Sequence, residues 1–109
     1  MIKWPAIIKY LGDHELLFLT DEVELRLNPD FQAQRFDFGD QLIDSNGATY
    51  ELVDVNEIDL LRSSGMLDLG KLTELVRCHA SEIGSCCVSK LMFSSIEAAI
   101  ASVEYLQSE

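Results

Sequence analysis

The stretch QLIDSNGATYELVDV, residues 41–55, contains the clearest local signal for the fold of this chain. Apolar residues lie on both sides of Asn46-Gly47, and an Asn-Gly pair between β-rich runs is typical of a tight hairpin turn. The stretch therefore predicts two antiparallel strands joined at residues 46 and 47.

A second hairpin is predicted near the beginning of the chain. The β-rich runs PAIIKY (5–10) and ELLFLT (15–20) are joined by LGDH, which contains a Gly-Asp turn signal. Pro5 suits the start of an outer strand, because its missing N–H costs no ladder hydrogen bond there. Residues 21–27 alternate like a strand but begin like a short helix, so both structures remain open for that segment.

The periodicity changes to a helical one after residue 68. Apolar residues recur at helical spacing over 69–83, with Asp68 as a candidate N-cap. SCCVSKLMF (85–93) is predicted as a strand, and the SSIE sequence that follows has the spacing of a capping box for a terminal helix. The order β-β-β-β-α-β-α predicts an α+β two-layer sandwich. We expect a mostly antiparallel sheet of about five strands, with two helices near the C-terminus.

Length and composition indicate one folded domain over residues 1–109. The 109 residues are 48% apolar and 25% charged, which is ordinary for a folded protein. No apolar run approaches the roughly 20 residues that span a bilayer, and no small-residue cleavage site follows the first residues. The three cysteines are an odd number for a disulfide framework, which favours a reducing compartment. We therefore expect a cytoplasmic protein that does not enter a membrane.

The net charge of −11 is concentrated in one region, residues 13–68, which carry 14 acidic side chains and only three arginines. Such a field repels nucleic acids and anionic membranes, because phosphate binding needs clustered Lys or Arg. It permits a basic protein partner and would speed their encounter. The alternative is that the acidity only keeps a small protein soluble.

Four residues are candidates for contacting such a partner. Trp4 is the one tryptophan of the chain, and tryptophan is enriched at interface hot spots. The alternative is that Trp4 closes one end of the core. Asp37, Asp40 and Asp44 are candidate acidic contacts within the 13–68 region. The three carboxylates could also gather a hard cation through their oxygens, but their spacing does not match the calcium loop of an EF-hand.

The segment CHASEIGSCC, residues 78–87, holds all three cysteines and one of the two histidines. Zinc sites usually pair cysteines as C-x₂₋₄-C, whereas Cys78-His79 and Cys86-Cys87 are adjacent pairs whose side chains diverge on a helix or strand. We therefore expect these residues to fill the core, without a metal or other cofactor. The alternative is a thiol- or metal-dependent site built on Cys78, His79, Cys86 and Cys87.

Two motifs resemble a known family. The W-P-A opening at residues 4–6 and the H-A…G-x-C-C-x-x-K-L pattern at residues 79–91 are similar to a small family of uncharacterised proteins from Vibrio- and Shewanella-type gammaproteobacteria. That family is a domain of unknown function. The resemblance implies an α+β fold and no particular activity.

The function predicted from these observations is that of a non-enzymatic cytoplasmic protein-interaction domain. It would act as an adaptor or an immunity-like protein through its acidic face. A third hypothesis is a small-ligand pocket between the 21–38 segment and the sheet. Exposed strand edges could also pair in a homodimer.

Overall fold

The sheet of this protein has five short antiparallel strands within the part of the chain that the computed structural model describes, residues 2–85 and 88–107. The strands are β1 (Ala6–Lys9), β2 (Leu16–Leu19), β3 (Gln41–Asp44), β4 (Ala48–Glu51) and β5 (Ser63–Met66), and their spatial order is β2-β1-β3-β4-β5. Both predicted hairpins are confirmed, because β1 pairs with β2 and β3 pairs with β4 across Asn46-Gly47. The prediction of an outer strand after Pro5 is wrong, since β1 pairs on both sides and Pro5 lies just before its first paired residue.

The strand predicted over residues 85–93 is wrong for the residues described there. Val88–Lys90 form a 3₁₀ turn, and the fifth strand is instead Ser63–Met66, which precedes both long helices. Val88, Leu91 and Phe93, three of the apolar residues that suggested a strand, are partly buried and pack against the helical side of the core. Arg77 donates two hydrogen bonds, of 3.0 and 2.8 Å, to the Leu91 carbonyl. A side chain therefore satisfies the backbone acceptor that a neighbouring strand would otherwise bind.

Two long helices, α3 (Leu69–Glu82) and α4 (Ile96–Gln107), cover one face of the sheet, as the α+β class predicts. Asp68 is the N-cap of α3, because its side chain accepts a 2.8 Å hydrogen bond from the Lys71 N–H. Burying each large apolar side chain of this layer contributes about 1.5–3 kcal/mol before entropy is subtracted. The buried core of the layer is Ile7, Leu16, Ile43, Leu72, Val76, Ala80, Ala99, Ile100, Val103 and Leu106.

The opposite face is covered by short helices and loops. They include α1 (Glu22–Leu27), α2 (Pro29–Gln32) and a 3₁₀ turn at Ile58–Leu60. The helix over residues 22–27 forms because two side-chain hydrogen bonds cap its N-terminal turn. Asp21 accepts from the Glu24 N–H, and the Glu24 carboxylate accepts from the Thr20 N–H at 2.7 Å. The core under this layer includes Leu25, Phe31, Phe36, Leu42, Tyr50, Leu52 and Leu61.

The β3–β4 turn touches the end of β5. Gly47 has a φ of +86°, and a Cβ built there would lie 2.6 Å from the Leu67 carbonyl oxygen. The Leu67 N–H also donates a 2.8 Å hydrogen bond to the Gly47 carbonyl. Only glycine combines this backbone conformation with so close an approach.

Candidate interaction site

A pocket of about 340 Å³ opens on the side of the sheet covered by the short helices and loops. Four separate segments line it: the N-terminal segment, the start of α1, strand β4 and the chain around the 3₁₀ turn. Its lining combines apolar side chains with two carboxylates and one guanidinium. The lining residues are Ile2, Trp4, Glu22, Tyr50, Ile58, Asp59, Leu61 and Arg62.

Trp4, the predicted partner anchor, lines this pocket and is half-buried. The segment that carries it is held beside the end of β3. The Lys3 N–H donates to the Asp44 carboxylate at 3.0 Å, the Ser45 N–H donates to the Lys3 carbonyl at 3.0 Å, and the Ser45 hydroxyl donates to the Pro5 carbonyl at 2.7 Å. Hydrogen bonds on both sides of Trp4 therefore hold the backbone that carries its ring.

Asp44 is buried and holds several groups together. Besides Lys3, it accepts hydrogen bonds from the N–H groups of Asn46 and Ala48 at 2.9 and 3.0 Å, and from the Tyr50 hydroxyl at 3.3 Å. Burial, together with the charge of Asp44, raises the pKa of Tyr50. Asp44 thus positions the pocket and does not present its carboxylate to a partner.

Asp40 is buried in the same way, and its carboxylate accepts 2.8 Å hydrogen bonds from the N–H groups of Leu11 and Asp37. Asp37 itself is exposed. Asp40 and Asp44 therefore do not lie on the predicted contact surface, because both carboxylates are buried and accept hydrogen bonds from backbone N–H groups. The pocket brings Trp4 together with Glu22 and Asp59, which sequence reasoning missed.

The charged groups of the pocket differ in how they are engaged. Arg26 on α1 pairs with the Glu22 carboxylate at 3.3 Å, and Arg62 folds back to donate hydrogen bonds to the carbonyls of Asp59 and Leu61. The Asp59 carboxylate is exposed and has no ion pair or hydrogen bond with any described residue. It is the lining group that is most accessible to an incoming cation.

The short-helix layer carries most of the negative charge. Its covering segments, residues 20–40 and 52–62, contain nine acidic side chains and three arginines. Residues 68–107, which supply the long-helix layer, contain five acidic and three basic side chains. The pocket therefore lies in the more acidic of the two layers.

Cys78 and His79 do not share a site. The expectation that these residues fill the core is wrong for Cys78, which lies on the exposed side of α3. His79 is 1% exposed under β2, where its Nδ1 accepts a 2.9 Å hydrogen bond from the Leu16 N–H. Its Nε2 has no hydrogen-bond partner among the described residues. Burial lowers the pKa of His79, and the charge of Glu15 partly opposes that effect.

Within residues 2–85 and 88–107, no three side chains of His, Cys, Asp or Glu are grouped so as to hold a metal ion. Cys86 and Cys87, the other two residues of the predicted Cys–His site, lie outside the described residues. A thiol- or metal-dependent site at this segment therefore stays a prediction.

Comparison with known proteins agrees with the architecture, an α+β protein built on a five-stranded antiparallel sheet. A family model described as a protein structure with unknown function matches residues 4–103, and the chain belongs to that family, DUF4144. The NMR structure of a protein from Shewanella amazonensis is 30% identical with a TM-score of 0.71, covering 97% of this chain and 90% of that one. The predicted resemblance to a Shewanella-type family of unknown function is thus confirmed.

No protein with a curated description matches the chain. None of the helices among the described residues has the length and apolar character required to cross a bilayer.

Proposed function

We propose that this protein is a non-enzymatic, single-domain cytoplasmic interaction module whose acidic layer binds a basic segment of another protein. It would work as an adaptor or as an immunity-like protein that covers a basic surface. The observation that carries the proposal is a pocket lined by both Trp4 and the accessible Asp59 carboxylate, within a layer of nine acidic side chains and three arginines.

The chemistry of the pocket suits a lysine side chain. Its aliphatic stem would pack on Trp4, Ile58 and Leu61, and its ammonium group would pair with Asp59. A cation over an indole ring contributes about 0.5–1 kcal/mol at an exposed site. The acids outside the pocket would act mainly on the association rate, because rim charges steer the encounter more than they hold the complex.

The composition of the described lining supports binding over covalent catalysis. Tyr50 is its one hydroxyl-bearing side chain, and it is a weak nucleophile here because its pKa is raised and its proton is donated to Asp44. The two carboxylates and the arginine are suited to recognising charge.

The test uses a basic peptide and the fluorescence of Trp4, the single tryptophan of the chain. We expect acetyl-TVKVKVT-amide to change this fluorescence in a saturable way, and its affinity to fall as NaCl rises from 20 to 300 mM. The analogue with norleucine in place of both lysines keeps the apolar stems without the ammonium groups. It should bind at least fivefold more weakly.

A matched pair of variants locates the effect. Asp59→Asn removes one negative charge in the pocket, and Glu104→Gln removes one on the exposed surface of α4. Asp59→Asn should weaken peptide binding about threefold to tenfold, and Glu104→Gln by less than twofold. Affinity that is independent of salt, or equal losses in both variants, would overturn the proposal.

A further inference from the structure

The two edge strands of the sheet are protected to different degrees. Both α1 and α4 pack against β2, and Leu16 and Leu19 of that strand are buried. All four residues of β5, the sequence SSGM, are exposed. The strand has no charged residue and no proline, which are the usual devices that keep an edge from pairing.

The backbone of β5 presents hydrogen-bonding groups outward at Met66. Leu67 donates its N–H to the Gly47 carbonyl, so alternation along an antiparallel ladder turns the N–H and C=O of Met66 away from β4. Ala48, which lies opposite Met66, donates its N–H to Asp44 on the other side. Met66 and Ala48 therefore form the pair without mutual hydrogen bonds.

We propose that β5 accepts an extended basic segment of the partner protein as a sixth strand. Strand addition at an open edge derives affinity from main-chain hydrogen bonds and specificity from pockets for alternate side chains. The inference deepens the proposed function and rests on it, because the added strand would supply the lysine that enters the pocket.

The pocket lies on the path of such a strand. Tyr50 lines the pocket and is paired with Ser63 of β5, and Arg62, the residue before β5, is also part of the lining. A strand added to β5 would run about 10 Å from β4, two inter-strand spacings away. Every second side chain of that strand would point to the same side of the sheet as Tyr50.

Charge favours a basic segment of another protein over a second copy of this chain. The chain carries a net charge of −11, and Glu57, Asp59 and Asp68 lie on either side of β5 in the sequence. Pairing of β5 with β5 across a dimer would bring two such regions together, and like charges placed close to one another oppose association. A segment with alternating lysines would pair with the same groups favourably.

Hydrogen exchange of the Met66 amide, followed by NMR, tests the inference directly. With acetyl-TVKVKVT-amide at ten times its dissociation constant, exchange of this N–H should slow about tenfold, because only the free fraction remains open. A peptide of the same sequence that is N-methylated at alternate residues on its β5-facing edge keeps every side chain. It should lose at least tenfold in affinity and give no protection.

Two variants at one position provide the second measurement. Met66→Pro removes the outward N–H, whereas Met66→Ala keeps it while removing the same side chain. The proline variant should bind the lysine peptide at least fivefold more weakly than the alanine variant, with unchanged amide shifts in β1 and β3 as the check on folding.

The outcomes separate this inference from the proposed function. Lysine-dependent binding that is lost in Asp59→Asn but insensitive to N-methylation would keep the proposed function and overturn strand addition. Protection of Met66 that rises with protein concentration in the absence of peptide would assign the edge to a second copy and overturn the inference. Absence of any binding at millimolar peptide would overturn both.

Discussion

The two layers that cover the sheet are built differently. The long-helix layer packs α3 and α4 on the sheet through a continuous set of aliphatic side chains, several of them fully buried. The short-helix layer combines an apolar cluster with two buried aspartates, an open pocket and nine acidic side chains against three arginines. The long-helix layer buries apolar side chains. The short-helix layer forms a pocket whose shape depends on polar groups.

The difference separates the free energy of folding from that of binding. In the long-helix layer, stability comes mainly from apolar area removed from water, and the buried His79 is its one titratable exception among the described residues. In the short-helix layer, the position of Trp4 depends on hydrogen bonds to Asp44 and Ser45. Substitutions in the first layer should therefore change stability alone, whereas those in the second should change stability and the pocket together.

Leu72→Ala should give the largest loss of stability. Leu72 is fully buried under the sheet, and removing a buried leucine side chain costs about 2–5 kcal/mol through lost transfer energy and the cavity that remains. Urea unfolding followed by circular dichroism measures the change. Leu60→Ala, at a half-exposed position in the other layer, is the control and should stay within about 0.5 kcal/mol. Equal losses would contradict the burial of Leu72 between α3 and the sheet.

Asp44→Asn should cost about 1.5–3 kcal/mol, because hydrogen bonds to a charged acceptor lose strength and the new amide N–H₂ faces existing donors. Trp4 fluorescence should change in the folded variant, since the backbone N–H of Lys3, the residue before Trp4, loses its charged acceptor. The exposed Asp37→Asn removes the same charge and should leave both properties nearly unchanged. An unaltered tryptophan spectrum in Asp44→Asn would show that this carboxylate does not position the pocket.

His79 should make the long-helix layer sensitive to acid. Burial lowers the pKa of its imidazole in the folded protein, whereas the unfolded chain takes up a proton at the ordinary value of about 6.5. Stability should therefore be unaffected above about pH 6.5 and fall below it, by at most about 1.4 kcal/mol per pH unit.

Urea unfolding at pH 7.5 and 5.5 tests this difference with two glutamine variants. His79→Gln should flatten the loss of stability on acidification, whereas His14→Gln, at an exposed position in the β1–β2 turn, should keep the native slope. Identical slopes in both variants would mean that the buried imidazole is not the group that titrates.

Glu97→Gln should have the smallest effect. The pair of Lys3 with Glu97, 3.4 Å apart, connects the N-terminal segment to α4, but both side chains are more than half exposed. Exposed pairs contribute about 0–1 kcal/mol, so we expect a change below about 0.5 kcal/mol that disappears in 0.5 M NaCl. A larger, salt-resistant loss would indicate that the two layers are coupled through this contact.

The elements that the sequence predicted are those with local signals. Asn46-Gly47 determines its own hairpin, and the helix after Asp68 has both a cap and an apolar stripe. Strand β5 was missed because SSGM has no β-branched or aromatic residue, and it is a strand only through pairing with β4. Val88, Leu91 and Phe93 had the opposite problem, since their apolar character suggested a strand, whereas they pack against the core on the side of the long helices.

The candidate site was predictable only in part. Trp4 could be found by residue type alone. Glu22 and Asp59 could not, because four segments distant in sequence converge on the pocket. Asp44 was identified but given a surface role, because sequence does not show burial. Its position two residues before the Asn-Gly turn was a usable signal, since aspartate there accepts hydrogen bonds from the turn N–H groups.

The glycine at position 47 has a consequence for mutational tolerance. Any side chain there would push on the Leu67 carbonyl, so one codon change would disturb the hairpin and the terminus of the outermost strand together. Gly12, in the turn between the first two strands, also has a positive φ but open space around it. Peptide insertions should therefore be tolerated near residue 12 and should destabilise the fold near residue 47. The turn between the first two strands is thus the better position for inserting a tag or a loop.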